Sequence, residues 1–306
     1  MRGKIIRLVL GSAAAVLLTA GAAAIPASAH TAPHARPHAA HGVHAATAFP
    51  VTNQSQEFAT GTGSFCHGSG PCDGSSFGTI DRVHSGYSNG GLGNYAPFTH
   101  ALVGSWFAVV SGTGDVNQGG GCPSPATEAC TGPYDLPGSG PAMGNENVFP
   151  ASGFTVTDDL YLSPATFRGA NSQVDSDWAI NTSSGSFGQD NVISVCNVTG
   201  GLALSFGHNS PGACGVTADV TAAGWYRFVE QFSNIGGDAY VTASAYKESG
   251  LTRVFTSGPQ PVGGTPSAVS NWGGPGYFWL PTEDQAGLPL ANVAVQVGQH
   301  AKGHTP

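Results

Sequence analysis

Charge is scarce in this chain. Lys, Arg, Asp and Glu together make up 9% of 306 residues, and the 10 basic residues are outnumbered by 18 acidic ones. So few cations exclude a phosphate-gripping surface, and with it nucleic acid or an anionic membrane as partner. No window holds a period of 3.6 over three turns, because Gly and Pro recur too often, so helical architectures are excluded. Beyond the N-terminus there is no second apolar run of about 18 residues, which excludes insertion of the mature chain into a membrane as a helix. No Cys-x-x-Cys pair offers a zinc site, and no Gly-x-Ser-x-Gly elbow or His-Glu-x-x-His helix offers a hydrolytic one. The Gly-rich stretches are turn glycines, and none opens a helix as a phosphate loop must.

What is present begins with an export pattern. Arg2, Lys4 and Arg7 precede an apolar stretch from Ile5 to Ala24, and Ala27-Ser28-Ala29 supplies the small residues of a cleavage site. Residues 1–29 read as a signal peptide, which predicts a secreted, extracellular protein. Its removal takes away three basic residues and moves the formal charge from −8 to −11. Residues 30–48 follow as a His/Ala/Pro-rich disordered tail. His30, His34, His38, His41 and His44 would stack on one helical face, but Pro33 and Pro37 oppose that helix. A single β-sandwich domain is expected over 49–298, with a flexible C-terminus at 299–306.

Six cysteines in an exported chain predict disulfides. Local pairing is the economical arrangement: Cys66 with Cys72, Cys122 with Cys130, and Cys196 with Cys214. Hydrophobic residues at 40% and 15 Phe provide enough apolar surface for a large core.

Strand patterns fill the rest. Val174, Ser176, Trp178 and Ile180 share one face of a period-two run, and Asp175, Asp177 and Asn181 share the other. Val103–Val110, Asp190–Val198, Leu202–Phe206, Trp225–Phe232, Ala239–Tyr246 and Ala291–Val297 read likewise. Gly236-Gly237 between two such runs signals a hairpin. Many short strands with regular turns predict an all-β sandwich.

The motifs Tyr134-Asp-Leu-Pro137, Thr157-Asp-Asp-Leu-Tyr-Leu162, Val174-Asp-Ser-Asp-Trp-Ala-Ile-Asn181, Gly224-Trp-Tyr-Arg-Phe228 and Gly276-Tyr-Phe-Trp279, with the closing Leu290–Val297, carry a resemblance. The chain resembles exported bacterial proteins with a concanavalin A-like (laminin G-like) jelly-roll domain, over roughly residues 130–297. The resemblance implies a jelly-roll β-sandwich with long Gly-rich loops. The superfamily holds glycan-binding lectins and polysaccharide hydrolases, so fold alone selects no activity.

Hydrolases on this fold commonly carry Glu-x-Asp-x-x-Glu or a close variant on one strand, and that motif is missing. Glu230 has no second carboxylate two or four residues away. Asp158 and Asp159 point to opposite faces of a strand, whereas Asp175 and Asp177 share a face about 7 Å apart. Their spacing suits a Ca²⁺ site or a polar binding surface, against the plain alternative of a solvated strand face. No cofactor is otherwise required. The densest aromatic segment, Asn271–Pro281, offers Trp272, Tyr277 and Trp279 for stacking against sugar rings. Phe278 and Leu280 are assigned to the core, and Trp272 to a Gly-rich loop. The expectation is a non-catalytic module that binds a glycan or cell-surface polymer. The alternative is a secreted hydrolase of polysaccharide or peptide, with carboxylates brought together from different strands.

Overall fold

The computed structural model describes residues 54–58, 79–85, 100–111, 134–135, 146–167, 173–209, 212–280, 282–283 and 287–298. The signal peptide, the His-rich tail, the C-terminal residues 299–306 and Cys66, Cys72, Cys122 and Cys130 lie outside the described residues. Among the described residues the regular structure is strand, with two short 3-10 turns at Val262–Gly264 and Val269–Asn271 and no α-helix. None of their helices is long and apolar enough to cross a membrane.

The strands form two antiparallel sheets. The larger runs β11 (Thr252–Pro261), β10 (Asp238–Lys247), β9 (Gly224–Ile235), β5 (Phe154–Leu162), β14 (Leu288–Val297), β3 (Trp106–Ser111) and β2 (Thr79–His84), with β1 (Gln54–Gln56) also paired to β14. The smaller runs β4 (Tyr134–Asp135), β12 (Trp272–Trp279), β6 (Gln173–Thr182), β7 (Phe187–Val198) and β8 (Gly201–His208), with β13 (Thr282–Glu283) beside β6. Because side chains alternate along a strand, each sheet offers one apolar face, and the two faces meet. Phe154, Val156 and Leu160 of β5 share one buried cluster with Val174, Trp178 and Ile180 of β6 and with Tyr226, Phe228 and Phe232 of β9. Cross-strand aromatic pairs fix the register. Phe154 stacks on its partner Phe232 with ring centroids 4.5 Å apart, and Trp178 meets its partner Phe278 at 4.8 Å. The protein is thus the all-β sandwich that the alternation predicts, and Phe278 and Leu280 are fully buried as expected.

The β9–β10 hairpin turns on Gly236 and Gly237, both at positive φ (65° and 99°). A two-residue turn of that kind matches the twist of the strands it joins. Cys196 at the end of β7 is bonded to Cys214, with Cα atoms 6.0 Å apart, which ties the segment after β8 back to the sheet. This is the local pairing expected for these two residues.

Candidate functional site

The register of the smaller sheet collects acidic and aromatic positions on its outer face. Trp279 of β12 is the Cα partner of Asp177 on β6, and Tyr277 is the partner of Ala179. On the other side of β6, Asp175 pairs with Ser194, Asp177 with Val192 and Ala179 with Asp190 of β7. Paired residues share a face, so positions 175, 177, 190, 194, 277 and 279 share one side of three adjacent strands. The two groups of residues singled out separately in the sequence, Asp175 with Asp177 and Tyr277 with Trp279, therefore converge.

This face is not a solvated one. Asp175 and Asp177 are 5% and 4% exposed, and Ser194 is fully buried. Asp175 accepts both carboxylate bonds from the Gln173 amide, at 2.8 and 3.1 Å. Burial pushes the Asp177 carboxyl well above the usual carboxylate range, and the neighbouring Asp190, Glu230 and Asp175 push it further. Asp177 also shares a side-chain hydrogen bond with Asp190. A bond between two carboxyl groups needs a proton, which agrees with the raised Asp177 carboxyl. Among the described residues, the Asp177 Oδ1 and the Ser194 hydroxyl have no hydrogen-bond partner. Asp190 is half-buried and links the pair to solvent. Among the described residues no group of three or more His, Cys, Asp or Glu has a metal-binding arrangement.

Trp272 is not in a loop. It opens β12 as the partner of Thr182, is half-buried, and packs against the main core. Its indole lies so close to Gly188 and Gly263 that an added Cβ would meet it at 3.0 and 3.3 Å. The indole N–H has no acceptor. Trp272 thus stands at one end of the sandwich, separate in the register from the Asp177–Trp279 pair.

A second acidic pair lies inside the sandwich. Asp158 on β5 points between the sheets and accepts a hydrogen bond from the Ser176 hydroxyl at 2.7 Å and one from the Trp178 indole at 3.4 Å. Asp159 points the other way and receives both donors of a forked Arg227 contact, at 2.9 and 3.0 Å. The opposite orientation of these two neighbours is the one strand alternation requires. Glu230 is not isolated as its own strand suggests. β9 pairs with β5, Glu230 opposite Val156 and Phe228 opposite Asp158, so Asp158 and Glu230 share the inner face as diagonal neighbours. The β7 alternation gave the signal that could have found Asp190 and Ser194, while the Asp158–Glu230 pairing depends on strand order and had none.

No protein-family model and no curated protein sequence matches the chain. Among solved structures the chain is similar to the CBM2 module of the evolved Dit of Lactobacillus casei BL23 phage J-1, at 13% identity and a TM-score of 0.39, over 80% of this chain and 96% of that one. It is also similar to an endo-1,3-β-glucanase from Streptomyces sioyaensis, at 10% identity and a TM-score of 0.31, over 71% and 88% of the two chains. Both likenesses are distant, and the fold rests on the strands themselves.

Proposed function

We propose that the protein is a secreted, non-catalytic glycan-binding β-sandwich, with its ligand on the outer face of the smaller sheet. The observation that carries this is the register that sets Trp279 opposite Asp177, with Tyr277 alongside. Sugars are recognised by aromatic surface for their C–H faces and by planar polar groups for their hydroxyls. Asp190, half-buried, is the point at which a hydroxyl-rich ligand reaches the acid pair.

Carboxyl geometry separates binding from polysaccharide cleavage. Glycosidases hold two carboxyl groups about 5–9 Å apart across the scissile bond. Asp177 and Asp190 are bonded to each other, which is closer than that, and Asp158 and Glu230 are inside the sandwich. The contact between Asp177 and Asp190 favours one second reading, an acid-pair hydrolase of peptides, since such pairs activate water with one member and protonate with the other.

The test is a glycan array run on the mature protein beside polysaccharide and peptide hydrolysis panels at about pH 5 and about pH 7. Saturable glycan binding without product release is expected, and Trp279→Ala should weaken it at least about tenfold. Release of sugars or peptides that is abolished by Asp190→Asn would replace the binding assignment with the enzyme. No binding and no release would reject both.

A further inference from the structure

We propose that Asp158 and Glu230 form a buried acid pair that keeps its protons in the folded state, so that the sandwich is favoured by acid and loosens as pH rises. This is independent of what the outer face binds. The geometry carries it. Both side chains project into the core between the sheets, and both are 1% exposed. Among the described residues, neither oxygen of Glu230 has a hydrogen-bond partner, nor does Oδ2 of Asp158. The donors that do reach the pair, Ser176 and Trp178, both go to Oδ1 of Asp158. A carboxylate buried among Val156, Phe228 and Ala243 with no donor would be a bare charge in a low-dielectric interior, and the group takes up a proton instead.

Among the described residues no cation compensates. From β6, Ser176 and Trp178 face the pair and are neutral, and Asp177 on the reverse face is itself pushed toward its neutral form and supplies no cation. From β7, Asn191 is neutral and Asp190 acts on Glu230 as a further anion. From β8, His208 stands over Asn191, and its own burial lowers its pKa, so it provides no imidazolium at neutral pH. The residues of β10 and β14 beside the pair, Ala243, Ala245 and Val293, carry no charge, and β11 contributes Gln260, which is bonded to His208. Arg227 projects from the opposite face of β9 and is held by Asp159 and Glu248. Consistent with this, burial raises Asp158 from 3.8 to about 7 and raises Glu230 well above its usual 4.5.

The sign follows from linkage. A carboxyl raised in the folded state binds its proton there and loses it in the unfolded chain, so the folded state holds more protons between the two values. Stability is greatest below the unfolded values of 3.8 and 4.5 and is lost as pH rises, through about 7 for Asp158 and through the raised value of Glu230. Each such group lowers the folding equilibrium about tenfold per pH unit inside its window.

The experiment is thermal unfolding of the mature protein, and of Glu230→Gln and Asp158→Asn, from about pH 4 to about pH 8. The wild-type Tm should fall across this range, and each amide variant should fall less steeply, with Glu230→Gln gaining on the wild type as pH rises. A wild-type Tm that is flat or rises, or variants that follow the wild-type pH dependence, would overturn the proposal. If neither variant folds, the infrared carbonyl band of protonated carboxyl groups in a folded Asp177→Asn protein, which lacks the outer-face contribution, decides. Its persistence at about pH 6 supports the pair, and its absence there overturns it.

Discussion

The Trp272 indole packs against the core at the start of β12. Its flanking glycines suggested a loop, and a loop tryptophan could be removed at no cost to the fold. In the structure the indole closes one end of the core against Gly188 and Gly263. Trp272→Ala should therefore cost about 1–3 kcal/mol by lost burial alone, measured as a lower denaturant midpoint. Phe278, fully buried against Trp178, should cost more, about 3–5 kcal/mol for Phe278→Ala. A Trp272→Ala protein as stable as the wild type would return that side chain to the surface. Gly273 makes the same point without a side chain. An added Cβ there would press into the Glu146 carbonyl, so Gly273→Ala should destabilise although alanine is the smallest possible change.

At the scale of elements, alternation made β6, β7, β9, β10 and β14 legible, because each has a dense run of apolar and polar residues in register with the pleat. β12 was half legible. Its Gly-Gly-Pro-Gly segment looks like a turn, yet it runs as a strand because Glu146 and Asn181 approach too closely for side chains at Gly273 and Gly276. β11 was illegible for a different reason. It carries Gly258, Pro259 and Pro261, residues that a central strand rejects and an edge strand tolerates, and it lies at the edge of the larger sheet. The acid pairs follow the same division. Asp175 with Asp177 could be seen along one strand, whereas Asp158 meets Glu230 only because β5 and β9 are neighbours. Strand order also creates the Asp159–Arg227 contact, which Asn292 of β14 and Glu248 extend. Asp159 is fully buried, so Arg227→Met should leave a stranded charge and cost about 3–5 kcal/mol in chemical unfolding. A loss below about 1 kcal/mol would mean that the pair is dispensable.

For the whole molecule, the sandwich fixes what each face can do. The inner faces supply the stability, and the Cys196–Cys214 bond adds a covalent tie across 18 residues of sequence. Reduction of that bond should lower stability by about 2–4 kcal/mol, read as a shift in the unfolding midpoint with and without reductant. On the outer face of the smaller sheet, burial and neighbouring acids push Asp177 well above the usual carboxylate range, a cost that binding or catalysis explains better than folding. Sugar recognition at that face is the central claim, and an NMR titration of backbone amides with the strongest glycan from the array tests it most directly. The largest shifts should fall on Asp177, Asp190 and Trp279 in β6, β7 and β12, and should vanish in Trp279→Ala. Shifts confined to the larger sheet, or no shift with any glycan, would contradict it.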